Sequence, residues 1–350
     1  MALLPAYLAA LAVLARAAHF HSKFSWPPLA RAPSEPECCW APSRLSIIGS
    51  YRREYAACIG TIGSGREGKS PLPELPEVET IKNDLRQSVL GHCIERARVL
   101  YAGVIVFPSP QRFEVELSGE RIKAVERRAK YLLLRLNSGR FLVIQLMVFG
   151  QLLLVPAAEP LRESTCLIID LDNGQQLRLL DPSHYLRVHL LDEEGLKERL
   201  HLDALGPDAT SSELSSERFA GLLRGRRKQV KALLLDQHVI SGLGNIYVDE
   251  VLHEARLHPA RLASSLSREE VERLYSAVRR ILEEAISRRG TTVQSYVDLS
   301  GRKGTYQEQL KVFRRAGRPC PDCPGLVTKT RVAGRETFLC LSCQPPPAGV

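Results

Sequence analysis

The feature that most limits the possible folds of this chain lies near its C-terminus, where four of the nine cysteines form two close pairs. Cys320 with Cys323 and Cys340 with Cys343 give the spacing Cys-x2-Cys-x16-Cys-x2-Cys. Each pair can place two thiolates on one side of a tetrahedral ion, and sixteen residues suffice for a returning β-hairpin. Two disulfides or a redox pair are the alternatives. The spacing favours one structural Zn²⁺ with no open catalytic position.

The hairpin between the two cysteine pairs carries several cations in the sequence "VTKTRVAGRETFL". Its turn is predicted at Ala333-Gly334, which places Arg335 at or near the tip. A cation there can enter a groove or clamp a phosphate, or it can be a solvated surface arginine.

The hydrophobic period changes along the chain and predicts an α+β multidomain protein. From Pro76 the apolar spacing favours one helix that ends near Gly91, and residues 95–190 read mostly as strands of a β-sandwich. Three helices follow over 212–223, 228–237 and 245–256, and "REEVERLYSAVRRILEEAISRR" predicts the clearest helix. We therefore expect domains at 73–205 (β-sandwich with an N-terminal helix), 206–305 (helical) and 306–346 (cysteine module). They are preceded by an extension over 1–72 that is either disordered or the result of an incorrectly assigned start.

The overall charge indicates the kind of partner. The formal net charge is +9, and a basic balance fits a polyanion such as nucleic acid. The body of the chain has no apolar run long enough to span a membrane. The five remaining cysteines show no framework spacing, which favours a reducing compartment over secretion. They are Cys38, Cys39, Cys58, Cys93 and Cys166.

A Gly-x-Gly turn precedes the helix predicted from Asn245. Gly242 and Gly244 permit close backbone approach. The first amides of the following helix are then available to a phosphate, and Asn245 can cap the helix or donate its amide to the same phosphate. The signal gains weight from Lys231 in the preceding helical segment.

Four segments occur together in one order: "PELPEVET", "ERRAKYLLLRL", "KALLLDQHVISGLGNIYVDEVLHEARLHP" and the four-cysteine module. This combination resembles the formamidopyrimidine-DNA glycosylase family over about residues 73–343. The opening "PELPEVE" rather than "PEGPE" favours this branch over the endonuclease VIII branch.

The resemblance implies a β-sandwich, a helix–two-turn–helix domain and a zinc finger. It also implies a monomeric, bifunctional glycosylase and AP lyase in the bacterial cytoplasm, associated with the nucleoid. Its partner would be damaged double-stranded DNA, with the oxidised purine turned out of the stack. The amine of a terminal proline attacks the sugar C1′ and forms a Schiff base, and β- and δ-elimination follow.

The resemblance also assigns roles to single residues. Pro73 is the nucleophile and Glu74 the acid/base beside it, while Glu77 anchors the terminus. Lys130, at the start of the strand "KYLLLRL", contacts a phosphate and assists catalysis. The remaining matches are the phosphate-binding pair Lys231 and Asn245, the zinc-finger arginine Arg335, and a flap over the flipped base around Gly290–Gly304.

Two segments depart from the family pattern. Where the family usually shows "HLGMSG", this chain has "QLMVFG", so the methionine that fills the vacated base position falls at Val148, beside Met147. Where the family shows "DPRRFG", this chain has "DPSHYL", and Ser183 replaces the arginine that faces the orphaned base. Tyr185 keeps the aromatic wedge, and His184 either shares the reading of that base or is packed.

The position of Pro73 leaves two activities open. A proline nitrogen inside a peptide bond is not a nucleophile, so the 350-residue form would be a non-catalytic lesion binder. Leu72 stands where the family carries its initiator methionine, and a start at Leu72, or cleavage after it, would free the amine. A third reading, an endonuclease VIII-type enzyme, predicts a preference for oxidised pyrimidines.

Overall fold

The computed structural model describes residues 73–347, and the expectations for the extension over 1–72 lie outside that range. The α-helices are α1 (Leu75–Ser88), α2 (Pro110–Leu117), α3 (Glu193–Glu198), α4 (Ser216–Leu223), α5 (Val230–Leu234), α6 (Asn245–Glu254) and α7 (Arg268–Ser287). The strands are β1 (Ile94–Val99), β2 (Ile105–Phe107), β3 (Ile122–Arg128), β4 (Tyr131–Leu136), β5 (Phe141–Gln145), β6 (Gln151–Pro156), β7 (Thr165–Leu171), β8 (Gln175–Leu180), β9 (Arg187–Leu191), β10 (Val327–Val332) and β11 (Arg335–Cys340). Short 3-10 helices cover Ala102–Val104, Leu202–Ala204, Ala263–Ser265 and Tyr306–Gln309.

The first nine strands form a β-sandwich, which confirms the predicted fold class for this part of the chain. One sheet has the order β1-β7-β8-β6 and the other β2-β9-β5-β4-β3. Apolar side chains of both sheets share one buried core with the inner face of α1, as Leu134, Ile169 and Ile81 illustrate. The sandwich core therefore fixes the position of α1, and Leu75 at the N-terminal end of α1 lies outside this core.

The helical part packs around α6 and α7. Helix α7 begins at an N-cap in which the Ser267 hydroxyl accepts from the backbone N–H of Glu270, and the Glu270 carboxylate accepts in return from the Ser267 N–H. Its apolar stripe, with Leu274 and Ile281, joins a second buried core that also contains Tyr247. Leu75 of α1 belongs to this second core, so α1 bridges the sandwich and the helices.

Strands β10 and β11 form the hairpin expected between the cysteine pairs. Ala333 and Gly334 make its turn, with φ angles of 52° and 71°, the conformation that two-residue hairpin turns require. Arg335 follows directly as the first residue of β11. Because Val327 and Phe338 lie in the helical core, the hairpin is packed against the helices.

The structure corrects several local expectations. Strands β5 and β6 are separated by a turn in which the Gly150 N–H donates to the Leu146 carbonyl at 3.1 Å. A Cβ at Gly150 would lie 2.1 Å from that carbonyl oxygen. Lys130 does not open a strand; it lies in the turn before β4. The helix predicted over 228–237 is only the five residues of α5. Within 73–347, no helix has the length and apolar character needed to cross a membrane.

Candidate active site

A buried carboxyl group stands at the N-terminal end of α1. Glu74 is 1% exposed, and its Oε1 accepts from the backbone N–H of Ile246 at 2.9 Å. Its Oε2 is buried and has no hydrogen-bond partner among the described residues. Burial raises the pKa of Glu74 to about 7, against the opposing positive charge of Lys130. Glu74 can therefore hold or release a proton near neutral pH.

Glu77 hydrogen-bonds to this end of the helix and to the segment after α7. Its Oε2 accepts from the backbone N–H of Glu74 at 2.8 Å. Its Oε1 accepts from the Thr291 N–H at 2.7 Å and from the Tyr247 hydroxyl. Burial raises the pKa of Glu77, and the bond from Tyr247 opposes that rise. Sequence reasoning missed Tyr247 and Thr291, which lie far away in the chain and meet Glu77 only in the folded protein.

The two glycines before α6 allow α1 and α6 to approach each other. A Cβ at Gly244 would lie 2.3 Å from the Glu74 carboxyl carbon, and one at Gly242 would lie 2.4 Å from Leu75 Cδ1. Gly242 also has a φ of +100°, which favours glycine. The chain that approaches this turn closely is therefore the start of α1. The backbone N–H of Ile246, in the first turn of α6, donates its hydrogen bond to Glu74.

Lys130 is held next to this carboxyl pair by arginines that brace its turn. Arg127 binds both oxygens of Asp208, at 2.5 and 2.9 Å. Arg128 donates to the carbonyls of Leu205 and Gly206 at 2.7 and 2.9 Å. Burial lowers the pKa of Lys130, with Glu74 opposing that change. The turn that carries Lys130 is thus fixed to the helical part of the molecule.

A small cleft opens beside Pro73. Its lining combines the start of the described chain with Val148 and the segment after α7. The lining residues are Pro73, Glu77, Val148, Ile246, Thr291, Val293, Gln294, Ser295 and Tyr296. Val148 lines the cleft and the adjacent Met147 does not. The position at which the family carries a methionine is therefore occupied by a branched aliphatic side chain.

The segment 290–304, the predicted flap, is tied down over the cleft. The Ser295 hydroxyl donates to the Val148 carbonyl at 3.3 Å, and Leu154 of β6 donates its N–H to the Leu299 carbonyl at 2.9 Å. At the base of the flap, a Cβ on Gly304 would lie 2.2 Å from the Gly290 carbonyl oxygen. The flap therefore has a fixed root and contacts Val148 in the cleft wall and Leu154 of β6.

The loop "DPSHYL" is organised by one buried carboxylate. Asp181 accepts from the backbone N–H groups of Ser183, Tyr185 and Leu186 at 2.7–2.8 Å. It also accepts from the Ser183 hydroxyl at 2.5 Å, so that hydroxyl is already engaged. Tyr185 is 60% exposed. His184 is stacked on Tyr101 with ring centroids 3.9 Å apart, which favours the packed alternative for this histidine.

The two predicted phosphate ligands of the helical part differ in what they contact. Lys231 is 0% exposed and its ammonium lies 2.6 Å from Asp249, so the fold places it inside the protein. The Asn245 amide donates to the Glu336 carbonyl at 2.9 Å, and the Asn245 Oδ1 has no partner among the described residues. Arg335, by contrast, is exposed and lies across a groove from Lys228 and Asp236 of the α5 region.

The four predicted cysteine ligands come together. Their sulfurs all lie within 4.8 Å of one another, with 3.8 Å between Cys320 and Cys343 and 3.4 Å between Cys323 and Cys340. A tetrahedral zinc with Zn–S bonds of about 2.3 Å requires sulfurs about 3.8 Å apart. The backbone N–H of Gly325 donates to the Cys323 sulfur at 3.4 Å, and such a bond stabilises a thiolate. The set fits one structural zinc.

Comparison with known proteins agrees with this arrangement. Residues 72–188 match the family model for the formamidopyrimidine-DNA glycosylase N-terminal domain, and residues 205–297 match that for the formamidopyrimidine-DNA glycosylase H2TH domain. The chain is 41% identical over 274 residues to the formamidopyrimidine-DNA glycosylase of Desulforamulus reducens, covering 78% of this chain and 99% of the relative. The enzyme of the same name from Symbiobacterium thermophilum is 43% identical over 279 residues, covering 80% of this chain and 91% of the relative.

Solved structures give the same result at the level of the fold. The complex of Lactococcus lactis Fpg with DNA that contains an abasic site superposes with a TM-score of 0.72 at 29% identity. A mutant of that protein bound to Fapy-dG-containing DNA gives 0.73 at 30% identity, and each match covers 78% of this chain and 100% of the other. Sandwich, helices and cysteine hairpin define a multidomain protein of the H2TH class with a zinc-finger module. The chain belongs to the formamidopyrimidine-DNA glycosylase family.

Proposed function

We propose that this protein removes oxidised purines, 8-oxoguanine and formamidopyrimidines, from double-stranded DNA and then cuts the strand as an AP lyase. One observation carries the proposal: Pro73 lines the cleft directly before Glu74, whose burial raises its pKa to about 7. These features support Pro73 as the nucleophile and Glu74 as the proton carrier, with the cation Lys130 close enough to interact with Glu74. We assign residues 73–205 to catalysis and 206–305 to DNA binding. We assign residues 306–346 to a zinc-finger module that contacts the DNA through Arg335.

The chemistry uses the free secondary amine of Pro73. Its lone pair forms a bond to the sugar C1′, the C1′–base bond breaks, and the base leaves with the bonding electrons. The proline nitrogen then loses its N–H proton, and the departing base takes up a proton. Glu74 delivers a proton to the ring oxygen as the sugar opens, leaving an iminium between Pro73 and C1′. That iminium accepts electrons when the C2′ proton is lost, so the 3′-phosphate leaves and a second elimination releases the 5′-phosphate.

The other groups position the DNA. Lys130 lies beside Glu74 and can bind the phosphate next to the damaged nucleotide. Tyr185 is exposed enough to enter the base stack, and Val148 can occupy part of the space that the flipped base leaves. A zinc held by the four cysteines would supply no chemistry; it would crosslink the two ends of the hairpin that carries Arg335.

We propose further that the catalytic form begins at Pro73. A peptide nitrogen cannot attack C1′ because its lone pair is delocalised into the carbonyl. The match to the N-terminal family domain starts at residue 72, which supports a start at Leu72 with loss of that residue, or cleavage after it. The relatives are bacterial proteins, and we place this one at the bacterial nucleoid.

Borohydride trapping on 8-oxoguanine DNA tests both proposals. A chain that starts at Pro73 should give a covalent adduct and a cut strand, whereas the 350-residue chain should bind the duplex without an adduct. Intact mass of the natural protein then shows which form exists in the cell. An adduct from a chain whose mass begins at Met1 would contradict the assignment of Pro73.

The alternatives give different results in the same assays. DNA binding without an adduct by the chain that starts at Pro73 would indicate a lesion-binding protein. Faster cutting of thymine-glycol DNA than of 8-oxoguanine DNA would indicate endonuclease VIII-type specificity. In every case binding should weaken steeply with salt, because lysine and arginine contacts release counterions from the phosphates.

A further inference from the structure

Lys231 has no free proton with which to bind a phosphate. Its ammonium donates to Asp249 Oδ1 at 2.6 Å, to the Glu336 carbonyl at 3.0 Å and to the Thr337 hydroxyl oxygen at 2.8 Å. A lysine ammonium has three protons, so these acceptors use all of them. The side chains of Lys231 and Asp249 are both 0% exposed. The cation is therefore directed at the zinc-finger hairpin and not at the solvent.

Two side chains of α6 also bind the stretch of β11 that Lys231 contacts. Asp249 Oδ2 accepts from the Phe338 N–H at 2.9 Å, and the Asn245 amide donates to the Glu336 carbonyl at 2.9 Å. With Lys231, these contacts fix three consecutive residues of the strand, 336–338. We call Lys231, Asn245 and Asp249 the hairpin clamp.

Thr337 connects the clamp to the tip of the hairpin. Its hydroxyl oxygen accepts a hydrogen bond from the Lys231 ammonium. The same hydroxyl donates a hydrogen bond to the Arg335 carbonyl at 3.0 Å. Thr337 is fully buried, whereas Arg335 and the two turn residues before it are exposed at the tip of the hairpin. The peptide of Arg335 is thus attached to the protein interior by a directional relay, Lys231 to Thr337 to Arg335.

The same clamp lies next to the catalytic carboxyl. The Ile246 N–H that binds Glu74 belongs to the first turn of α6, and Asn245 and Asp249 are on that helix. A 10-residue helix is rigid on this scale. One helix therefore sets the position of Glu74 at its N-terminus and of the hairpin along its side.

We propose that Lys231, acting through Thr337, is a positioning residue that holds Arg335 where it contacts the DNA backbone. This inference rests on the proposed function, which makes Arg335 a DNA contact. The clamp removes the conformational freedom of the arginine's backbone before DNA arrives, so less entropy is lost on binding. It assigns Lys231 a role inside the protein in place of the direct phosphate contact expected from the sequence.

The test is Thr337→Val, which keeps the shape of the side chain and removes the hydroxyl. Affinity of the zinc-loaded full-length chain for a duplex with a tetrahydrofuran abasic analogue should fall about tenfold. Thr337→Ser keeps the hydroxyl and should restore binding. Thr328→Val is the matched control, because Thr328 donates only to the Leu339 carbonyl of the same hairpin; it should bind as the unmodified protein does. Should valine not be accommodated, Thr337→Ala removes the same hydroxyl.

A double-mutant cycle separates positioning from general stability. If Thr337 acts through Arg335, Arg335→Ala with Thr337→Val should bind no more weakly than Arg335→Ala alone, with zinc content unchanged. Losses that multiply in the double variant, or wild-type affinity for Thr337→Val, would overturn the inference while leaving Arg335 as a contact. Wild-type affinity for Arg335→Ala would instead overturn the proposed role of Arg335 itself.

Discussion

The fold controls the protonation of Glu74 by burying its carboxyl group. Its pKa is raised to about 7, and the proposed mechanism needs its protonated form. Above that pH the fraction of acid falls tenfold per unit, so single-turnover base excision should decline as pH rises through about 7. Glu74→Gln keeps an oxygen for the Ile246 N–H but cannot give up a proton, and should lower the rate about 10²- to 10⁴-fold.

The comparison is made with the chain that starts at Pro73. The declining limb should vanish in Glu74→Gln, and DNA affinity should stay near that of the unmodified enzyme. A Glu74→Gln variant with the same limb would show that another group supplies the proton.

Ser183 bears on which base the enzyme prefers opposite the lesion. Its hydroxyl is committed to Asp181 at 2.5 Å, so it makes no pair of bonds to a base edge. Excision opposite cytosine and opposite adenine should therefore occur at similar rates. Ser183→Arg should increase the preference for cytosine by about 1–3 kcal/mol, the value of a bidentate contact. Ser183→Ala should leave the ratio unchanged, and a strong cytosine preference in the unmodified protein would contradict this account.

Single residues of the site could be predicted where a motif is continuous in the chain. The four cysteines are an example, and the structure brings their sulfurs together. The roles of Pro73, Glu74 and Glu77, inferred from one continuous motif, stay predictions. The burial of Lys231 could not be predicted, because a lysine in a short helix reads the same whether it faces a phosphate or Asp249. The Tyr247–Glu77 bond was also invisible, since it joins residues 170 positions apart.

At the scale of elements, the flap depends on close backbone contact at its root. A Cβ on Gly304 would lie 2.2 Å from the Gly290 carbonyl oxygen, and backbone cannot yield as a flexible side chain does. Gly304→Ala should therefore lower the free energy of unfolding by about 1–3 kcal/mol and reduce base excision, because Thr291 and Ser295 would shift with the flap. Urea unfolding and single-turnover excision measure the two effects.

Gly221 provides the matched control for this substitution. It lies within α4, and nothing is within 4 Å of a Cβ placed on it. Gly221→Ala should raise the free energy of unfolding by about 0.5–1 kcal/mol, since glycine disfavours a helix interior. Equal stability changes in the two variants would mean that the contact at Gly290 does not constrain the flap.

Elements were predictable in proportion to their length and periodicity. Helix α7 and the strands of the sandwich follow from their apolar periods, whereas α2 and α3 were missed. Ser109 caps α2 by accepting from the Arg112 N–H, and Ser109-Pro110 is a helix-start signal that could have revealed it. The parallel pairing of β2 with β9 has no local signal, because it joins strands separated by most of the sandwich.

At the scale of the whole molecule, three parts meet at one helix. Helix α6 holds Glu74 of the sandwich side and the hairpin of the cysteine module, and Glu250 accepts from the backbone N–H groups of Lys311, Val312 and Phe313. A carboxylate that satisfies three amides fixes the linker between the helices and the module. The order of the three parts was predictable from the sequence, but this shared helix was not, because its contacts are all tertiary.

Zinc removal tests how far the hairpin depends on its crosslink. The core contacts of Phe338 and the clamp hold only the middle of β11, while the cysteines hold its end and the loop before β10. Loss of the ion should therefore loosen the hairpin and lower DNA affinity at least about tenfold, because Arg335 loses its fixed position. The sandwich, whose core is separate, should keep its structure.

Cys343→Ser and Cys93→Ser form the matched pair for this experiment. Both replace a partly exposed thiol, but only Cys343 belongs to the four-sulfur cluster. Cys343→Ser should lose zinc and DNA affinity together, with circular dichroism of the sandwich unchanged, and Cys93→Ser should keep both. Full affinity in the zinc-free protein would mean that packing against α6 alone positions Arg335, since the hairpin would then be held by the clamp without its metal.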